Sequence, residues 1–182
     1  MKNSLLFSCL LLVLGLTTGC QQLTSWEFAN TVETAQNIQV EDFMGEWYVI
    51  ENIPTPLERG AVNAIEEYTL RDNGDIDTHF RYRKWFSWGF PVHMYPKGWV
   101  KDDADDARWV MTFFNLPYEF AYLILEVGEN YEYCAVGGPT PDTLWIMSRT
   151  PTLDQAIVDQ LRANAAEQGY DVSKLKRVPQ IW

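Results

Sequence analysis

Three cysteines and two histidines are the side chains of this chain best suited to covalent or metal chemistry. Cys9 and Cys20 lie near the N-terminus, and Cys134 sits in the alternating stretch "YEYCAV". A thiol in such a strand, flanked by Ala and Val, reads as a small buried hydrophobe rather than a thiolate nucleophile. His79 and His93 have no Cys or carboxylate at metal-ligand spacing, so no metal site is expected. No G-x-S-x-G and no phosphate-binding glycine loop occurs. These patterns predict no catalytic residue and no cofactor. One acid stands out: Glu51, in the apolar run "EWYVIENI". A carboxylate on the inner side of such a strand is costly to bury unpaired. It either meets Arg81, Arg83 or a ligand head group, takes up a proton, or sits at an open rim in water.

The elements around these residues belong to a single aromatic-rich domain. The chain has 182 residues, 47% hydrophobic and 14% aromatic, with eight Trp. That composition is globular rather than disordered. The formal charge is −11, from 25 acidic and 14 basic residues. No basic patch stands out, which argues against a nucleic-acid partner. An acidic surface is likewise a poor electrostatic match for anionic lipid head groups.

The N-terminus reads as a targeting segment. Lys2 precedes an apolar run from Leu5 to Leu16, too short to span a bilayer as a helix but suited to a signal peptide. The following "LTTGCQQ" resembles a bacterial lipobox, in which the Cys is acylated and becomes the new N-terminus. Thr17 stands where the motif usually has an aliphatic residue, with Leu16 one step further back. The expected organisation is a lipoprotein signal peptide over 1–19, a lipidated Cys20 with a polar tether to residue 39, and a domain over 40–182. Cys134 is then the only cysteine of the domain, so no internal disulfide is expected.

From Phe43 onward, short runs rich in Val, Ile, Tyr, Trp and Thr alternate with turn signals. "NAIEEYTLRD" runs into Asn73-Gly74, a hairpin signal. About eight strands follow one another with mostly short connections, the pattern of an up-and-down barrel. An aromatic stretch, Lys84 to Trp99, interrupts the pattern. One helix follows the strands, with Ile157, Val158, Leu161 and Ala165 at helical spacing and Gly169 at its end. A short strand or extended tail closes the chain.

Five motifs in order resemble the lipocalins, and in particular the bacterial outer-membrane lipocalins. They are Gly45-x-Trp47-Tyr48, "LERG" at 57–60, "YTLRDNG" at 68–74, "LWIMSRTPT" at 144–152 and "GYDVSKL" at 169–175. The resemblance implies an all-β, eight-stranded antiparallel barrel with one C-terminal α-helix packed outside. It implies that Trp47 closes one end of the barrel, with Arg149 on its face and Gly45 allowing close approach: a structural closure, not a catalytic group. Taking Trp47 as inward, alternation places Val49, Glu51 and Ile53 inside. The family's hairpin register adds Ile76, Thr78, Phe80 and Tyr82, with His79 outside. Trp109, Met111 and Phe113 follow on the strand after the insert, then Tyr122. Glu51, Ile53, Phe80, Tyr82, Trp109, Met111, Phe113 and Tyr122 are the expected ligand contacts.

Such a protein would be a non-enzymatic carrier, lipid-anchored on the periplasmic face of the bacterial outer membrane. Its ligands would be fatty acids or lysophospholipids, held or transported for membrane maintenance. A second copy of the chain is a candidate partner. Two alternatives stand: an enzyme acting on a lipid or isoprenoid in the cavity, and a structural lipoprotein whose barrel is filled by its own side chains. The insert at 84–99 is a lid, a membrane-dipping loop, a protein contact, or a loop packed on the barrel.

Overall fold

Alternation of apolar and polar residues dominates the chain after Gly45, and the structure, a computed structural model describing residues 25–101, 105–113 and 119–182, turns it into a closed antiparallel barrel. In chain order the strands are β1 (Gly45–Asn52), β2 (Ala61–Leu70), β3 (Asp75–Lys84), β4 (Pro91–Met94), β5 (Lys97–Val100), β6 (Arg108–Thr112), β7 (Glu119–Val127), β8 (Tyr133–Gly137), β9 (Leu144–Ser148) and β10 (Lys176–Arg177). β1 to β3 pair in chain order, as do β5 to β9, and β9 returns to β1. β4 and β5 both pair with β3, end to end, and together fill the place of one barrel strand. Eight barrel positions result, with β10 added beside the upper half of β1.

Among the described residues three α-helices flank the sheet: α1 (Ser25–Thr31), α2 (Val40–Phe43) and α3 (Gln155–Glu167). The α3 N-cap is Asp154, whose side chain accepts from the Ala156 amide at 2.7 Å. Val158, Leu161 and Ala165 of α3 are buried against Ile50, Ala135, Leu144 and Ile146 on the barrel's outer wall. Burying that one face is what holds a helix of thirteen residues in place.

Residues 25–39, within the expected tether, dock on the barrel. Phe28, Ala29, Val32 and Ile38 are buried. Arg108 donates to the Ala29 and Val32 carbonyls at the end of α1, and the Phe28 ring meets Tyr170 edge-on at 5.1 Å. The signal peptide and Cys20 lie outside the described residues. The insert differs from a wholly irregular loop. Its second half forms β4 and β5, and only residues 85–90 remain as the β3–β4 connection.

Candidate ligand-binding interior and its closed end

The barrel closes where β1 begins. Gly45 has a φ of +91°, a left-handed conformation that glycine adopts without cost, and a Cβ there would lie 3.4 Å from Arg149 Nη1. Trp47 is fully buried, and its Nε1 donates to the Phe43 carbonyl at 2.8 Å. The Arg149 guanidinium sits 3.8 Å from the centre of the Trp47 ring. Its three nitrogens donate to the carbonyls of Tyr131, Glu46 and Asp42 at 3.2, 2.9 and 2.9 Å. A cation fully paired with carbonyls over an indole face is a plug, and it ties β1 to the chain segments around it.

Above the plug, rings fill the lower barrel. Phe43 contacts Trp47, Tyr68 and Trp109 at centroid distances of 4.8, 5.7 and 5.2 Å. Trp109 stacks on Tyr122 at 5.1 Å. Phe80, Tyr82, Met94 and Met111 continue the inner wall toward the far end. Of the expected inward residues, Val49, Ile76, Phe80, Tyr82, Trp109, Met111 and Tyr122 lie in this inner cluster, and Phe113 packs against it half-buried. Thr78 is buried on the inward register of β3.

Glu51 and Ile53 do not face inward. The pairing of β1 with β9 shifts by one residue between Val49 and Glu51, leaving Ile50 as a bulge. A bulge reverses the alternation beyond it. Ile50 and Ile53 therefore pack under α3 on the outer wall. Glu51 is buried there too, accepting two hydrogen bonds from Arg162 of α3, at 2.8 Å from Nε and 2.7 Å from Nη2. The C-terminus meets β1 at the same place. The tail wedges between β1 and β2: Val178 N donates to the Ile50 carbonyl, and the Gln180 amide bridges the carbonyls of Val49 and Ala64.

The bulge turns Asn52 inward instead. Asn52 Nδ2 and Trp145 Nε1 both donate to Glu58 Oε1, at 3.0 and 2.8 Å. Glu58 belongs to "LERG", the β1–β2 loop, and its other oxygen accepts from the Thr55 amide at 3.0 Å. The same loop takes bonds at the Leu57 carbonyl from Tyr82 Oη (2.5 Å) and Lys84 Nζ (2.6 Å). These contacts pin the loop over the end of the barrel opposite Trp47.

The interior also holds an acid that the sequence reading missed. Glu66 of β2 is buried inside the barrel, opposite Trp47 on one side and Phe80 on the other. Tyr68 donates a short hydrogen bond to its carboxyl, and the Tyr68 and Tyr122 hydroxyls lie 2.6 Å apart. Burial pushes the Glu66 pKa up to about 7; the Tyr68 hydrogen bond lowers it, and the nearby Glu58 charge adds to the rise. Burial likewise raises both tyrosines and the Cys134 thiol, which lies inside the same wall, so Cys134 is a protonated packing group. Beside Tyr68, across the β2–β3 pair, the buried Thr78 hydroxyl has no hydrogen-bond partner among the described residues. A signal for Glu66 existed. In "EEYTL" the two glutamates are adjacent, so any strand register must turn one of them inward.

This geometry defines a class, a lipocalin-type barrel, and comparison with known proteins agrees. The model of the lipocalin-like domain matches residues 38–180. The chain belongs to that family. It is similar to the outer membrane lipoprotein Blc of Vibrio cholerae, 29% identical over 152 residues, covering 82% of this chain and 87% of the relative. The Blc protein of Citrobacter freundii is 30% identical over 151 residues, covering 82% and 83%. Mouse apolipoprotein D is 30% identical over 156 residues, covering 80% and 78%. Among solved structures, insecticyanin of the tobacco hornworm Manduca sexta superposes with a TM-score of 0.65 at 18% identity, covering 82% of this chain and 85% of its own. Lobster apocrustacyanin A1 gives 0.65 at 15% identity, covering 85% and 84%. At those identities the likeness speaks for the fold.

Proposed function

We propose that the chain is an outer-membrane lipoprotein, anchored through Cys20 on the periplasmic face, that binds one fatty acid or lysophospholipid in its barrel and holds or carries it for membrane maintenance. The Blc relatives are outer membrane lipoproteins by name, which supports the location. The observation that carries the ligand reading is the polar group inside the apolar wall. Among the described residues the Thr78 hydroxyl has no hydrogen-bond partner, and Glu66, Tyr68 and Tyr122 form a chain of hydroxyl and carboxyl next to it. A buried hydroxyl without a partner costs about 1–3 kcal/mol, which a ligand oxygen or a water recovers. Phe80, Tyr82, Trp109, Met111, Phe113 and Tyr122 then form the acyl-chain contacts, and apolar burial supplies the affinity at about 25 cal/mol per Å² before ordering costs. The role is binding rather than catalysis. Cys134, the one cysteine among the described residues, is buried with its thiol pKa pushed up, and the two hydroxyls in the Glu66 group belong to buried tyrosines that burial keeps protonated.

A specific observation favours a second reading. The lower half is already filled by Phe43, Trp47, Tyr68, Trp109 and Tyr122 in mutual contact. A barrel filled throughout by its own rings would bind nothing inside. Displacement of a fluorescent fatty acid from the purified protein separates the two. The carrier predicts saturable displacement by lysophospholipid, weakened by Thr78→Val and by Met111→Trp. No saturable probe binding supports the filled barrel.

A further inference from the structure

The rim of the barrel opposite Trp47 carries aromatic side chains that the fold does not bury. In the β3–β4 connection, Trp88 and Phe90 are 79% and 77% exposed, and Trp85 and Phe86 are more than half exposed. Leu57 of the adjoining β1–β2 loop is exposed beside them. The connection is nonetheless a built structure. Lys84 N donates to the Phe90 carbonyl at 3.0 Å, Gly89 N to the Phe86 carbonyl at 2.9 Å, and Arg83 Nη1 to the Gly89 carbonyl at 3.2 Å. The Phe86 and Trp88 rings stack at 4.7 Å with 5° between their planes. Trp85, in the left-handed region at φ +67°, donates its amide to the Gly60 carbonyl at 2.6 Å, and its indole occupies the place a Gly60 Cβ would need. The two rim loops are thus locked together, with their apolar groups facing water. Contiguous exposed aromatics on a rigid loop mark a contact surface.

Charge identifies the partner. From Phe80 to Phe90, along the rim end of β3 and the β3–β4 connection, the chain has Arg81, Arg83 and Lys84 and no acidic residue, in a protein of net charge −11. Arg81 is taken up by Glu46 and Glu67, but Arg83 and Lys84 stand at the base of the aromatic hairpin. Aromatic rings with cations at their base match an anionic bilayer surface, where rings seat at the headgroup level and each cation adds about 1 kcal/mol. A second copy docked face to face would set Arg83 and Lys84 against their equivalents, a like-charge contact. We infer that residues 85–90 form a membrane-seating wedge that presses the mouth of the barrel onto an anionic phospholipid surface. The anchor, which rests on the reading of Cys20 above, leaves four residues before α1. Fully extended, four residues reach about 14 Å, so the domain would be held close to the surface the wedge enters.

The test uses the chain as the cell makes it, in vesicles of phosphatidylethanolamine and phosphatidylglycerol with a minority of brominated acyl chains. Tryptophan fluorescence reports depth, and retention through an alkaline wash reports the anchor separately. The wedge predicts quenching of the wild type, most of it lost in Trp88→Phe. Phe86→Ser/Phe90→Ser should require at least about tenfold more lipid for the same quenching. Arg83→Gln should require about fivefold more on anionic vesicles and no more on neutral ones. Equal quenching in Trp88→Phe and wild type overturns the proposal. So does absence of quenching in a chain that stays anchored, or in one that washes off and is then offered excess vesicles. A Trp88-dependent dimer without quenching overturns it in favour of a second copy. Indifference of Arg83→Gln to lipid charge overturns the choice of an anionic surface.

Discussion

Trp47 and Trp88 sit at opposite ends of one barrel in opposite environments. Trp47 is fully buried, donates to a carbonyl and lies under a guanidinium. Trp88 stacks on Phe86 and, among the described residues, is left largely open to water. At the closed end aromatic surface is used for folding stability. At the rim the same chemistry is withheld from the fold, and a hydrogen-bonded hairpin holds it out. The contrast teaches that the two ends answer to different partners: the chain's own core at one, and something outside the chain at the other.

The sharpest way to break this contrast is truncation at the closed end. Trp47→Ala should cost about 3–5 kcal/mol and lower the melting temperature by many degrees. Thermal unfolding by circular dichroism measures it, and a loss below 1 kcal/mol would deny the plug its role. Next in size is the interior acid. Glu66 has a folded pKa of about 7 against 4.5 for the free group, so the folded protein keeps a proton that the unfolded chain releases between those values. Its contribution is full below about pH 4.5 and is lost as pH rises through 7, so wild type should lose about 2–3 kcal/mol relative to Glu66→Gln over that window. Urea unfolding of both proteins at several pH values reads the difference, and parallel curves would refute a buried, proton-holding Glu66.

Smaller again is Arg149→Lys. It keeps the charge but gives up the planar fork shared among three carbonyls, and should cost about 1–2 kcal/mol, a drop in urea midpoint without a change of slope. Smallest is Trp88→Ser, which should leave stability within about 0.5 kcal/mol of wild type. A large loss there would mean that the rim is part of the core after all, and the contrast between the two ends would collapse.

Much of the barrel was legible because alternation is a local signal. The β2–β3 hairpin at Asn73-Gly74 follows from a two-residue motif, whereas the Gly45–Trp47–Arg149 closure and the inner face of β3 from Ile76 to Tyr82 were expected from the family resemblance. What escaped depends on distant chain. The bulge at Ile50 lies where residues 178–180 enter beside β1, and nothing within "EWYVIENI" announces that distant contact. One residue of slip sent Glu51 to Arg162 under α3 and Ile53 to the outer wall. The inner polar group, Glu66 with Tyr68 and Tyr122, draws on strands more than fifty residues apart in sequence. The local basic run around the rim was hidden by a whole-chain charge of −11.

The most direct test of the lipid-carrier account is native mass spectrometry of the protein extracted from its own membrane, before and after exposure to lysophospholipid. The account predicts a one-to-one added mass in the range of a fatty acid or lysophospholipid, replaced by the offered lipid and reduced in Thr78→Val and Met111→Trp. A protein mass free of ligand that takes up none of the offered lipid would contradict it, and would leave a barrel filled by its own rings.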